Sequence, residues 1–236
     1  MISQAPQIPL PIRREDFATW ANWLRRPETD AMEQWLSGSA DKIQSAFLCG
    51  GGGVGKSHAL QACCEALNQE ARYIPLNDLR VFPPDQVLAG IEGTPLVAID
   101  DVDAVESEPV WHEGLFAAFN RCQEAGVCLL MSAQRAPKHL AQLLPDLQSR
   151  LSSLPVFQLP RFSEEHIAAL LRLRAGAAGM HLNDEVVHYA MLRLARNPRA
   201  VITFVEQLDQ LSLAASRAVT IPFVRDSGLL NRAEAE

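Results

Sequence analysis

Residues Gly50 to Ser57 read Gly-Gly-Gly-Gly-Val-Gly-Lys-Ser, which fits G-x-x-x-x-G-K-[ST] directly after an apolar run and directly before an amphipathic one. Glycines let the main chain curl until successive N–H groups point inward at phosphate oxygens, and a helix opening near Lys56 adds its positive end. The cradle is assigned to Gly51, Gly52, Gly53, Val54 and Gly55. Lys56 would reach the terminal phosphates, and the Ser57 hydroxyl would be offered to Mg2+. The plainer alternative is a glycine-rich strand-to-helix turn that binds nothing.

A metal on a polyphosphate also needs a carboxylate at the end of a neighbouring strand. Leu96-Val97-Ala98-Ile99-Asp100-Asp101 supplies four apolar residues to cross a sheet interior, then two acids where the strand emerges. Asp100 is the expected metal partner, and Asp101 the group that orients or deprotonates an attacking water. A cap of a helix or turn is the alternative for either acid. Ser132-Ala133-Gln134 closes another apolar run, where a polar side chain could touch the terminal phosphate. Two arginines join this frame, because a rigid delocalised fork stabilises charge developing in phosphoryl transfer. Arg150 reads as a finger for phosphate held by a neighbouring subunit, and Arg199 as a group reaching back over the chain's own site. Taken alone, each arginine reads as a surface ion pair.

These residues need elements to hold them. Five short apolar runs, at 45–50, 72–76, 95–100, 127–133 and 155–159, are candidate strands covered on both faces. Helix-like stretches at 56–69, 84–91 and 108–124 and broken turns at 137–153 separate them, and this alternation predicts a parallel, doubly wound sheet. After Pro160 the apolar residues switch to helical spacing, as in Val186, Val187, Ala190, Met191 and Leu194, so a small all-helical subdomain is expected. Ser163, Asn183 and Asn197 before Pro198 mark its helix starts. Ahead of the sheet, Phe17, Trp20 and Trp23 recur at three-residue steps, giving a strap with one aromatic face, followed by a polar stretch at 25–41. The organisation expected is a flexible tail at 1–15, an α/β nucleotide-binding domain at 16–160 and a helical lid at 161–236.

Composition narrows the class. Against 21 basic residues stand 28 acidic ones, a formal net charge of −7, which argues against a broad basic surface for DNA or anionic membrane. No run approaches the ~20 apolar residues of a membrane span, and the first residues lack the zones of a secretory signal, so a cytoplasmic protein is expected. The cysteines at 49, 63, 64, 122 and 128 are five, an odd number, without C-x-x-C spacing. They are expected to be reduced core thiols.

Together these residues resemble the AAA+ proteins, and within them the branch of the bacterial initiator DnaA. Gly-Lys-Ser-His58 stands where that branch has Gly-Lys-Thr-His, and Ser132-Ala133-Gln134-Arg135-Ala136-Pro137 resembles its Ser-Ser-Asp-Arg-Pro-Pro. Leu147-Gln148-Ser149-Arg150-Leu151 resembles its arginine-finger box and Asn197-Pro198-Arg199 its second-sensor box. The likeness runs from about Phe17 to Leu230 and leaves out the helix-turn-helix reader that follows in the initiator, which implies no direct sequence-specific DNA binding. Gln7-Ile8-Pro9-Leu10-Pro11 resembles the peptide with which the Hda family, DnaA-homologous regulators of initiation, holds the replication sliding clamp. Ile8 and Leu10 would fill an apolar groove, with Gln7 at its rim and Pro11 closing the motif. Thr220-Ile221-Pro222-Phe223-Val224 resembles that family's C-terminal pattern.

The resemblance implies an AAA+ α/β domain with a lid, ADP or ATP with Mg2+ as ligands, and nucleotide contacts that include His58, Gln134 and Arg199. Trp23 and Leu24 are placed near the adenine. The implied partners are the DnaA initiator and the sliding clamp, the DNA polymerase III beta subunit, with self-association possible and a location at the replisome through the clamp. In that reading Arg150 enters the composite site and promotes hydrolysis of the initiator's ATP. Gln134 stands where the branch has aspartate. An assembly ATPase or loader cycling on its own ATP is the second reading, and a small-molecule kinase the third.

Overall fold

A computed structural model describes residues 18–37, 43–67, 70–215 and 217–231. The strap is two 3-10 turns, Trp20–Asn22 and Pro27–Thr29, and leads into helix α1 (Asp30–Leu36). Trp23 turns extended, with ψ 128°, and ends the first turn, so the three-residue aromatic spacing does not become one continuous helix. Trp20 and Trp23 still meet edge to face, at 5.6 Å between centroids. The stretch expected to be merely polar contains α1, which buries Met32 and Leu36. Phe17 lies outside the described residues.

Strand β1 (Ala46–Cys49) runs into the glycine loop and helix α2 (Lys56–Ala66). Strand β2 (Arg72–Pro75) is followed by two single-turn helices, α3 (Leu76–Leu79) and α4 (Pro84–Val87). The longer helix expected at 84–91 stops early because Gly90 turns left-handed, with φ +63°. Then come β3 (Leu96–Asp100), α5 (Pro109–Glu124), β4 (Cys128–Ala133), α6 (Pro145–Ser152) and β5 (Val156–Gln158).

The five strands form one parallel sheet in the order β2-β3-β4-β1-β5. Side chains alternate between its faces. Phe47, Cys49, Val97, Ile99, Leu129 and Met131 pack with residues of α5 and α6. Ala46, Leu48, Leu96, Ala98, Cys128 and Leu130 pack with residues of α1 and α2. Strands β1, β3 and β4 are buried throughout, whereas β5 at the edge leaves Val156 and Gln158 exposed, so coverage on both faces holds for the three inner strands alone. The chain leaves β1 toward one side and β3 toward the other with β4 between them, and such a switch point is where open α/β sheets bind ligands.

The lid comprises α7 (Glu164–Ala177), α8 (Asp184–Met191), α9 (Pro198–Ala215) and the short α10 (Ile221–Asp226). Its helix starts are those the sequence marks: Ser163 Oγ accepts from His166 N, Asn183 Oδ1 from Val186 N at 2.9 Å, and Asn197 Oδ1 from Ala200 N at 2.8 Å. Thr220 caps α10, an element the sequence reading leaves as a motif without structure. Leu24 of the strap packs against the lid core while Trp23 packs into the sheet domain, so adjacent residues serve the two cores. None of the five cysteines forms a disulfide, and four are buried, Cys64 being the partly exposed one. Among the described residues no helix is long and apolar enough to cross a membrane.

Leu48 is fully buried in a central strand. Leu48→Ala should lower unfolding free energy by about 2–5 kcal/mol, read as a lower urea midpoint at unchanged slope.

Candidate functional site

The glycine loop touches a different neighbour at almost every residue. A β-carbon placed on Gly50 would lie 2.6 Å from the Leu159 carbonyl oxygen, so no larger residue fits there. On Gly51 it would lie 3.8 Å from Arg161 Nε, and on Gly53 3.7 Å from Pro198 Cδ, the residue that opens α9. Gly55 combines φ +106° with two Trp23 ring atoms 3.0 Å from such a carbon, so both its torsion and its surroundings require glycine. Strand, hinge, lid and strap thus converge on this one loop.

Within the loop, Lys56 is buried and its Nζ donates to the Gly50 and Gly51 carbonyls at 2.9 and 3.2 Å. Gly52 and Gly53 are exposed, Val54 is buried, and Ser57 is half-buried at the start of α2. His58 stacks edge to face on Trp23 at 5.3 Å, and its Nε2 lies 3.0 Å from the Thr19 carbonyl. Arg174 Nη2 of α7 is 3.4 Å from Nδ1. Arginine only donates, so Nδ1 accepts and Nε2 carries the proton to Thr19. Burial pushes the His58 imidazole down to about 4, the Thr19 carbonyl opposing this and the Arg174 charge adding to it. Trp23 Nε1 donates to Glu33 Oε1 at 2.6 Å.

Asp100 and Asp101 emerge where β3 ends, as expected. Asp100 is 2% exposed and accepts from the Tyr73 hydroxyl at 2.6 Å through Oδ2 and from Ser132 Oγ through Oδ1. The same Ser132 oxygen accepts from Asp101 N at 3.2 Å, so one hydroxyl fixes both acids. Asp101 has φ +56°, the one positive value outside glycine among the described residues. Aspartate tolerates this left-handed region better than most side chains. Burial, then the Asp100 charge, pushes its carboxyl up to about 6, with Lys56 pulling the other way. Oxygen donors with surplus negative charge are a donor type suited to a hard divalent cation.

The remaining candidates divide. Ser132 is fully buried and turned to the acids, so the polar residue free to face a phosphate at the end of β4 is Gln134, whose exposed backbone N–H donates to Asp103 Oδ1 at 3.2 Å. Arg199 is exposed in the first turn of α9, next to the Pro198 that lies over Gly53. Arg150 is exposed on α6, and its guanidinium has no ion pair or hydrogen bond among the described residues. It is not gathered into this chain's own loop. Gln7, Ile8, Leu10 and Pro11 lie outside the described residues.

Four contributors escape the sequence reading: Tyr73, Arg161, Arg174 and Arg26. Tyr73 could be found only with the strand register, which pairs it with Ala98, two residues before Asp100 and on the same face. Arg26 carries no motif at all, although it is 1% exposed.

This loop at the switch point of a parallel sheet, with paired acids at the end of β3, one strand removed across β4, and a helical lid across it, defines a P-loop protein of the AAA+ class. Residues 164–227 match the family model described as the lid domain of Hda. An uncharacterised protein of Haemophilus influenzae is 35% identical over 224 residues, spanning 93% of this chain and 96% of that one. Domain III of the replication initiation protein DnaA from Thermotoga maritima superposes with a TM-score of 0.74 at 22% identity, covering 90% of this chain and 95% of that one. AMPPCP-bound DnaA from Aquifex aeolicus gives 0.69 at 17% identity, over 83% of this chain and 65% of that one. The chain belongs to the Hda-like AAA+ proteins of the DnaA branch.

The depressed His58 value has a signed consequence. Between pH 6.5 and about 4 the unfolded chain binds a proton there and the folded chain does not, so stability is complete above 6.5 and falls as the pH drops. The loss should be on the order of 2 kcal/mol at pH 4.5. His58→Gln should show a shallower fall in melting temperature over that window, and an identical fall would place the titration elsewhere.

Proposed function

We propose that this protein is a nucleotide-gated regulator that promotes hydrolysis of ATP held by the DnaA initiator while itself bound to the DNA-loaded sliding clamp. The observation that carries the reading is Arg150, an exposed guanidinium without an ion-pair or hydrogen-bond partner among the described residues, on helix α6 of the α/β domain. An arginine so presented is available to a phosphate on another molecule, where its planar fork can meet charge developing in transfer. The residues at Gln7, Ile8, Leu10 and Pro11 would supply the tether to the clamp. No membrane partner is invoked.

The chain's own site is read as a switch. Gly51 to Gly55 and Val54 would present main-chain N–H groups to the phosphates of ADP or ATP, and Lys56 would exchange the Gly50 and Gly51 carbonyls for phosphate oxygens. His58 would act less as a ligand than as the joint between strap and lid, because both ring nitrogens are engaged. Trp23 backs Gly55, and Leu24 carries the same strap to the lid core. Arg199 would reach the phosphates from α9, and Gln134 from the end of β4. Ser57 and Asp100 would hold Mg2+, which when bound neutralises phosphate charge. Asp101, fixed by Ser132, would accept a proton from water or orient it.

A second reading, an assembly ATPase that turns over its own ATP, is favoured by the complete set of Lys56, Ser57, Asp100 and Asp101 at one sheet end. Appreciable turnover by the protein alone that collapses in Asp100→Asn would support it.

For the first reading, purified protein with clamp on DNA should accelerate loss of initiator-bound ATP. Arg150→Ala should abolish that acceleration while ADP still raises the melting temperature; full activity in this variant would remove the finger. Lys56→Ala should abolish the ADP shift. Removing residues 1–11 should end clamp binding and leave the melting temperature unchanged, and retained clamp binding would refute the tether.

A further inference from the structure

Arg26 sits under the phosphate loop, where neither the motif nor the proposed chemistry uses it. Its guanidinium donates through Nη2 to the Val54 carbonyl at 3.2 Å and through Nη1 to the Pro160 carbonyl at 3.1 Å. Its carbon centre stands 4.1 Å from the centroid of the Phe162 ring. Among the described residues it has no carboxylate within ion-pairing distance, and its Nε has no hydrogen-bond partner. Burying a guanidinium without an acid is costly, and burial holds this one below the usual arginine range, with Glu28 and Glu33 offsetting in part. A strap needed only to cover apolar surface would be served better by a methionine.

What Arg26 holds is informative. A trans peptide is planar, so its C=O and the next N–H point in opposite directions. Fixing the Val54 carbonyl on Arg26 therefore aims the Gly55 N–H away from the guanidinium, out of the buried side of the loop. Gly55 has φ +106°, a torsion with wide freedom for glycine, and the amide ahead of it would otherwise be among the least constrained in the cradle. The other end of the fork holds Pro160, the last residue before the lid linker, and the ring beneath it belongs to the lid core.

We propose that Arg26 is a positioning residue for phosphate recognition: it aims the Gly55 N–H at the phosphate closest to the loop and ties that amide to the hinge at Pro160, so one guanidinium sets both phosphate affinity and lid placement. This rests on the nucleotide reading above. A phosphate that turns the Val54–Gly55 peptide shifts the carbonyl on which Arg26 rests and, through the fork, the hinge.

The test compares ADP with AMP, since a loop amide serves the second phosphate and an adenine pocket serves both nucleotides. With Mg2+ present and well below the melting temperature, titration calorimetry of Arg26→Met should show ADP weakened about tenfold, the loss of one well-aimed charged contact, and AMP changed less than about twofold. Arg26→Lys keeps the charge but loses the rigid planar fork that holds the two carbonyls in fixed directions, so it should show the same selective loss, and it carries the test should the methionine variant not fold. Equal losses for ADP and AMP, or unchanged ADP affinity with only a lower melting temperature, would overturn the proposal by reducing Arg26 to a strut. Failure of the unaltered protein to bind ADP would instead sink the nucleotide reading.

Discussion

The backbone from Gly50 to Gly55 has to lie against four separate parts of the molecule at once, and its glycines are what make that contact possible. Leu159 presses its carbonyl on Gly50, Arg161 lies beside Gly51, Pro198 beside Gly53 and Trp23 on Gly55. At Gly50 and Gly55 the neighbours come closer than a β-carbon would allow. The sheet supplies a rigid base, since β1 is buried along its whole length and bonded on both sides. The strap and lid then pack onto a strip of main chain, and the amide groups facing the other way keep their directions.

The same economy governs the charged residues. Asp100 and Asp101 repel one another at short range, and the fold tolerates this by giving Asp100 two hydroxyl donors and by leaving Asp101 only half-buried. Elsewhere a buried acid is matched by a cation and by main chain: Glu106 takes Arg135 and the Gln142 N–H. His58 is kept neutral between a carbonyl and a guanidinium, and so it joins strap to lid without adding charge beside a phosphate site.

Much of this was legible in the chain. Alternating apolar runs gave five strands in their places, and the caps at Ser163, Asn183 and Asn197 follow from local hydrogen bonding that needs no tertiary partner. The glycine loop and the acid pair were legible because each is contiguous in sequence. Tyr73 was not, since its role arises from pairing with a strand that begins 23 residues later. Arg26 was hidden for a similar reason: its partners Val54 and Pro160 offer carbonyls, which carry no residue-type signature. The strap misled in the other direction, because a three-residue aromatic step fits tight turns as well as a helix. The polar composition of 25–41 likewise hid α1, a seven-residue helix that needs only a few apolar positions to dock.

Strand β5 shows how such a sheet can end safely. It is three residues long, half-covered and flanked by Pro155 and Pro160, of which neither can donate a main-chain hydrogen bond. A foreign strand approaching that margin finds too short a ladder to template on. The open side of the sheet is thereby blunted against edge-to-edge polymerisation, and the segment that closes the sheet also discourages its growth.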